Sequence, residues 1–401
     1  MDEKWLVSVT AGKIQCHGIL EAKKLGLKIL SIDEDPSAIG FELSDQFINI
    51  SLSKTDKIIK IIRSFDLNII GAICFCSEAG LRLCAIIRDK FNLPGEQIET
   101  YNKFLNKGHL RSILSENSFK LPENWKVISS KSKVKNYIKK SNLPLIIKPT
   151  ESSGSRGVSK IDFKDLHNLD FIINKAFDNS KNNEVIIETY MEGYECTVET
   201  FTEKGITTVL AITEKLKVDN TDGLIANELR TFNKGADLYN KIGNIIIEAI
   251  KIMGFNYGPC HSEVIVTKNN KIGIVEIGAR GGGFLVFNHL VPLISGVNIA
   301  KLTILQAMGI NVQIKEVEKK HAILKFITPK NGKIKSISGF EKLKNIEGIS
   351  GASFVKVGDS VKVSESDGDR LGYLLSSALH FENALKLVTF YEKIIKYEYD
   401  N

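Results

Sequence analysis

The feature that most constrains the fold is the order of elements in the first hundred residues. Residues 5–9 (Trp-Leu-Val-Ser-Val) form a short apolar run, and residues 14–25 follow with helical spacing. A second run, 28–32, ends in Asp33, with Asp35-Pro36 as a turn. Residues 57–65 read as a helix, 69–75 as a strand and 78–91 as another helix. Alternation of this kind argues for a parallel sheet with helices on its faces, an α/β unit. Gly12 and Gly18, after the first strand, do not make GxGxxG, which argues against a nicotinamide or flavin site there.

Prolines punctuate the remainder of the chain. Pro94-Gly95 closes the first unit, Pro122 opens a strand after a helix over 106–116, and Pro144 and Pro149 bracket the strand 145–148. Strands follow at 185–188, 195–201 and 207–213, then a helix over 238–253 and a hairpin built from 259–266 and 271–277. A helical region, 298–308, precedes a last segment of short strands with one helix over 381–395, and the tail 396–400 is expected to fray. At 401 residues the chain has room for about two or three domains.

With 43% hydrophobic and 25% charged residues, the composition excludes disordered, collagen-like and membrane-spanning classes. No window approaches the ~18 apolar residues of a transmembrane helix. Met1-Asp2-Glu3-Lys4 reads as no secretory signal. Lys plus Arg total 54 against 47 Asp plus Glu, a net charge of +7 spread along the chain. No basic run marks a nucleic-acid or membrane partner. Cys16, Cys74, Cys76, Cys84, Cys196 and Cys260 form no CxxC pair and sit in apolar segments, so they read as buried reduced thiols of a cytosolic protein.

Three segments carry chemistry. In the hairpin around Asn269-Asn270, a two-residue turn would set Glu263 directly opposite Glu276, with His261, Gly278 and Arg280 on the same face and Val264, Val266, Ile272 and Ile274 nearby. Facing carboxylates repel. A cation between them would turn that cost into a binding site, and Mg²⁺ takes oxygen ligands of this kind together with phosphate and water; a solvated sheet face is the alternative. The second segment runs from Lys148 to Val158, Lys-Pro-Thr-Glu-Ser-Ser-Gly-Ser-Arg-Gly-Val. A strand delivers Lys148 to its end, and Ser153, Gly154, Ser155 and Gly157 lie in a loop able to aim N–H groups and hydroxyls at one anion. A flexible hairpin tip would share this composition; the lysine favours phosphate. The third segment, 186–199, joins two strands through Thr189, Tyr190 and Met191, with carboxylates at Glu188 and Glu195. An apolar wall with carboxylates fits an adenine and a ribose diol, and equally an ordinary hairpin.

Taken together, these segments resemble the ATP-grasp superfamily along nearly the whole chain. The resemblance implies an α/β (α+β) fold: a Rossmann-like parallel-sheet domain over 1–98, an ATP-grasp domain over 99–310 with a lid at about 122–190, and a small C-terminal α/β domain over 311–401, similar to that of biotin-carboxylase-like members. It implies that Lys107 and Lys148 contact phosphate, that 152–158 is a mobile loop over the triphosphate, that Glu188 to Met191 hold adenine and Glu195 the ribose. It further implies that Glu263 and Glu276 bind magnesium and that Arg280, with Lys148, serves the transferred phosphate. Many members read Glu-x-Asn-x-Arg at the metal strand. Here it is Glu276-Ile277-Gly278-Ala279-Arg280, which leans toward the amino-acid ligase-like branch and leaves the ligands of a second magnesium open.

The activity implied is an ATP- and Mg²⁺-dependent ligation, with Mn²⁺ as a substitute, of a carboxylate to an amine through an acyl-phosphate. Alternatives are a carboxylase that activates bicarbonate and a nucleotide-binding protein without turnover. Small-molecule carboxylate and amine substrates and a homodimer are the expected partners. His261 faces the presumed metal cluster, Arg230 is a candidate for a substrate carboxylate or phosphate, and Ser77 and Glu78 lie at the end of a strand, where open α/β sheets bind ligands. The other histidines have no metal-ligand spacing.

Overall fold

The computed structural model describes residues 3–218, 225–315, 319–364 and 367–400. Its first sheet is parallel throughout, in the order Gln46–Asn49, Lys28–Asp33, Trp5–Val9, Ile69–Ile73. Side chains of the central strand alternate between two cores. Val7 and Val9 join Leu30, Ile32, Ile58 and Ile62 on one face; Leu6 joins Ile29, Ile73 and Ile19 on the other. The helix Thr55–Ser64 buries Ile58, Ile59 and Ile62, one stripe at helical period. The second face is covered by Cys16–Lys24 and also by Ile299–Ala307, which arrives from far along the chain. Gly71 is what lets it approach: a Cβ there would stand 2.7 Å from the Ala307 carbonyl oxygen.

The central sheet has eight antiparallel strands, in the order Ile272–Gly278, Tyr257–Thr267, Gly193–Glu203, Ile206–Lys217, Ala226–Thr231, His321–Ile327, Gly372–Ala378, Ile349–Ser353. Its last three strands come from the segment after residue 311. A smaller sheet, Trp125–Ile128, Val185–Thr189, Leu145–Pro149, Ser159–Ile161, carries the helices Lys131–Lys140 and Leu169–Asp178 over a core of its own, which includes Val134, Ile138, Ile147, Ile173 and Ile187.

The tail does not fray as expected. Lys396–Asp400 is a strand paired antiparallel with Gly332–Ser338, because Tyr397 and Tyr399 alternate inward and the backbone finds a free edge. All six cysteines are free thiols, and all but Cys16 are buried. Burial pushes the Cys74 thiol up to about 12.

Candidate active site

The hairpin turn differs from the expected one. Thr267 N–H donates to the Lys271 carbonyl at 2.9 Å, and Asn270 takes a left-handed φ of +54°. Three residues, 268–270, therefore make the turn, and asparagine tolerates the left-handed position. The pairing near the turn is displaced by one residue, so Val266 faces Ile272 and Val264 faces Ile274. A bulge then leaves Val275 as an extra residue on its strand, and beyond it Glu263 faces Glu276 and His261 faces Gly278. Two one-residue departures cancel. The expected carboxylate pair forms by a route that pattern alone did not give.

Neither glutamate faces the other uncompensated. Glu276 lies 3.4 Å from the Lys107 ammonium, and Glu263 lies 2.9 Å from Lys215 and 3.7 Å from His261 Nε2. Lys215 also reaches Glu195 at 2.6 Å, and Lys217 takes the other Glu195 oxygen at 2.7 Å. His261 Nδ1 bonds Glu199. Burial opposes the charge on His261, but the Glu199 carboxylate and the bonds to Glu199 and Glu263 outweigh it and raise its pKa to about 9. Burial likewise opposes charge on Glu263, and Lys215 and His261 hold its carboxyl well below the usual range.

Lys148 leaves the end of Leu145–Pro149 and lies 2.5 Å from Glu188, which is itself buried at the end of the neighbouring strand. Glu188 is thus committed to protein cations: its other oxygen accepts from Arg111 Nε at 2.6 Å. Arg280 bonds Glu78 at 2.8 Å and the Gly281 carbonyl at 3.1 Å. A Cβ at Gly278 would lie 3.3 Å from the Arg280 guanidinium and 3.4 Å from Glu78 Oε1, so the glycine borders the pair closely. Ser77 precedes the helix Glu78–Lys90, and its carbonyl accepts from Cys74 Sγ at 2.9 Å.

In the Gly/Ser segment, the Lys107 ammonium donates to the Ser152 carbonyl at 2.6 Å. Arg156 folds back onto the Ser153 carbonyl and hydroxyl. Gly154, Ser155 and Gly157 all take positive φ, and Gly154 is exposed. At the connector, Thr189 N–H bonds the Asn124 carbonyl and Tyr190 N–H that of Pro144. The Tyr190 ring lies 4.5 Å beneath Lys160, and Met191 packs on Gly273. Arg230 stands apart. It pairs with Glu228 on its own strand, faces Glu214 and Ile323 across the sheet, and has no bond to the cluster among the described residues.

Three participants were not legible in advance. Arg111 had one usable signal, four residues after Lys107 on the same helix face. Lys215 and Glu199 lie on neighbouring strands, and nothing short of the sheet order would reveal them.

The chain matches the ATP-grasp domain over residues 141–287 and the L-amino acid ligase C-terminal domain 2 over residues 325–400. It carries an ATP-grasp domain. A D-alanine–D-alanine ligase of Flavobacterium psychrophilum is 39% identical over 114 residues, which cover 28% of this ATP-grasp chain and 33% of the relative. The L-amino acid ligase of Bacillus licheniformis superposes with a TM-score of 0.83 at 20% identity, each chain wholly covered. The biotin carboxylase domain of the Hydrogenobacter thermophilus 2-oxoglutarate carboxylase, solved with MgADP, ADP and bicarbonate, gives 0.76 at 15% identity, covering 100% of this chain and 91% of that one. At such identities the two structures establish the shared fold.

ATP-grasp enzymes use ATP with magnesium. Among the described residues of this ATP-grasp chain, no three His, Cys, Asp or Glu side chains gather closely enough to hold a metal by themselves. Glu263 and Glu276, facing each other and with about a quarter of each side chain open, fit a hard cation that brings its own phosphate and water oxygens.

The Glu188 pairing gives a pH prediction. Burial would raise its pKa, but Arg111 and Lys148 outweigh burial and hold it at about 2, against an ordinary value of 4.5. The folded-state value lies below the unfolded one, so this contribution to stability is full above pH 4.5 and is lost as pH falls through 2. Glu188→Gln is expected to lower stability at neutral pH and to flatten its fall between pH 4.5 and 2 by up to about 1.4 kcal/mol per pH unit. Urea unfolding across that range measures the slope; a slope equal to the parent's would refute the assignment.

Proposed function

We propose that this ATP-grasp chain is an ATP- and Mg²⁺-dependent ligase that activates a carboxylate as an acyl-phosphate and joins it to an amine, releasing ADP and phosphate. The acceptor class is an amino acid or a close analogue. The observation that carries this reading is the assembly of Lys107, Glu263, Glu276, His261, Arg280 and Glu78 where the end of Ile272–Gly278 pairs with the middle of Tyr257–Thr267. The ligase names of its relatives support it.

A carboxylate is a poor electrophile because oxide would have to leave, and phosphorylation supplies a better leaving group. The task of the chain is to bring two anions together and exclude water. In this reading Lys107 and Lys148 neutralise the triphosphate, Arg280 steadies the phosphoryl group in transfer, Glu195 with residues 189–191 seats the nucleoside, and Glu188 holds Lys148 and Arg111 beside it. Magnesium bound at Glu263 and Glu276 would offset further phosphate charge. Glu78 holds Arg280, and Ser77 lies beside it at the acceptor side. Residues 1–98, 99–310 and 311–401 are the corresponding working units, with about 122–190 as the lid.

The test is a phosphate-release screen of amino acids, singly and in pairs, with ATP and Mg²⁺. Release that requires an amino acid or a pair is the expected result. Release driven by bicarbonate alone would replace this reading with a carboxylase, and nucleotide binding without release would replace it with a silent binder. Closure makes a second prediction. Residues 152–157 have few apolar anchors, so their amides are expected to slow in hydrogen exchange when ATP–Mg²⁺ is added. Unchanged exchange at 150–158 would count against a closing loop.

A further inference from the structure

Arg111 projects from the helix Lys107–Glu116 one turn after Lys107, with only 3% of its surface exposed. Its guanidinium bonds in two directions. Toward the small sheet, Nε donates to Glu188 Oε1 at 2.6 Å, while Glu188 Oε2 holds the Lys148 ammonium at 2.5 Å. Toward the central sheet, the two terminal nitrogens donate to the carbonyls of Ile274 at 2.9 Å and Val275 at 3.4 Å. Val275 is the extra residue of the bulge, the residue that returns Glu276 to a position opposite Glu263.

Bulged residues leave backbone groups outside the ladder, and buried carbonyls need donors. Only arginine offers several donors in a rigid fork; lysine supplies one point charge and cannot serve a carboxylate and two carbonyls from one place. Charge adds a second role. Arg111 and Lys148 share the single carboxylate of Glu188, so the trio keeps one net positive charge beside the Gly/Ser loop. Without Arg111, Glu188 would neutralise Lys148 completely.

We propose that Arg111 is a positioning residue that couples the charge of Lys148 to the register of Glu276. One buried side chain would thereby set both the phosphate-facing lysine and the carboxylate pair. The inference rests on the ATP–Mg²⁺ reading above.

The test compares Arg111→Lys, Arg111→Gln and Lys148→Ala with the parent, by thermal melting, calorimetry with ATP and titration of Mg²⁺, all below the melting temperatures. Arg111→Lys keeps the charge and loses the fork. It should hold ATP affinity within about threefold and raise the Mg²⁺ needed for tight nucleotide binding about tenfold, through the unsupported bulge. Arg111→Gln loses both, and should also weaken ATP about tenfold. Parental ATP and Mg²⁺ dependence in both folded variants would overturn the proposal and leave Arg111 a purely structural bond. If neither variant folds, Glu188→Gln decides, since it cuts the link to Lys148 and leaves the bulge bonds: a threefold or greater change in ATP affinity supports the coupling, and no change overturns it. Failure of the parent to bind ATP–Mg²⁺ would remove the underlying reading instead. Weakened ATP binding in Lys148→Ala with unaltered Arg111 variants would remove the coupling alone.

Discussion

Glu276→Gln is expected to lower phosphate release by about 10²-fold or more while the protein stays folded, with a melting temperature at or below the parent's in the absence of Mg²⁺. Pattern alone argues the opposite for stability. Facing glutamates on paired strands cost roughly 0.2–1 kcal/mol, so neutralising one should stabilise the fold without metal. The structure removes that expectation, because Glu276 is paired with Lys107 and Glu263 with Lys215 and His261. An amide at 276 leaves the buried Lys107 ammonium with the Ser152 carbonyl as its remaining bonded partner. Breaking a fully buried pair costs about 3–5 kcal/mol; with a quarter of the Glu276 side chain open, about 1–2 kcal/mol is the expected loss. Melting and phosphate release on one preparation, with and without Mg²⁺, check both halves. Parental turnover would remove Glu276 from the mechanism.

Lys148→Ala is expected to weaken ATP binding about tenfold or more, by deleting the positive charge offered to phosphate. It should also destabilise the protein, which the sequence pattern does not suggest for a lysine at a strand end. Lys148 is only 5% exposed, and its loss leaves Glu188 with Arg111 as its one paired cation among the described residues. Since one partner remains, the cost should be below the full value for a broken buried pair, at about 2 kcal/mol. Calorimetry and urea unfolding separate the two effects. A stable variant with parental ATP affinity would exclude Lys148 from the phosphate site.

Legibility in the sequence tracked the strength of local pattern. The first parallel sheet was legible because Trp5–Val9 and Lys28–Asp33 are apolar runs flanked by amphipathic helices. Gln46–Asn49 was missed because it buries only Ile48 and shows no alternation. Lys131–Lys140 hides its helical stripe, Val134 and Ile138, among lysines. At the site, the facing glutamates and their lysines at 107 and 148 could be named from sequence. Lys215, which balances Glu263, arrives through the strand order of the central sheet and leaves no local trace, while Arg111, which pairs with Glu188 and reaches the bulge, shows only its spacing from Lys107. For the same reason Glu188 and Glu195 looked like free ligand carboxylates, whereas each is held by two protein cations.

The helix Ile299–Ala307 closes the second face of a sheet whose last strand ends at Ile73. During synthesis that sheet must wait for more than half of the chain. At the usual 5–20 residues per second, the delay is on the order of ten to forty seconds. For that time Leu6, Ile29 and Ile73 have Cys16–Lys24 over them but lack the Ile299–Ala307 helix, and the nascent chain presents a partly open sheet face to the cell. A chain cut short before residue 299 would carry the same exposed face permanently, so premature termination should yield aggregates or chaperone-bound species in place of a soluble amino-terminal fragment. A soluble, monomeric fragment ending near residue 95 would show that the first sheet tolerates the wait without help.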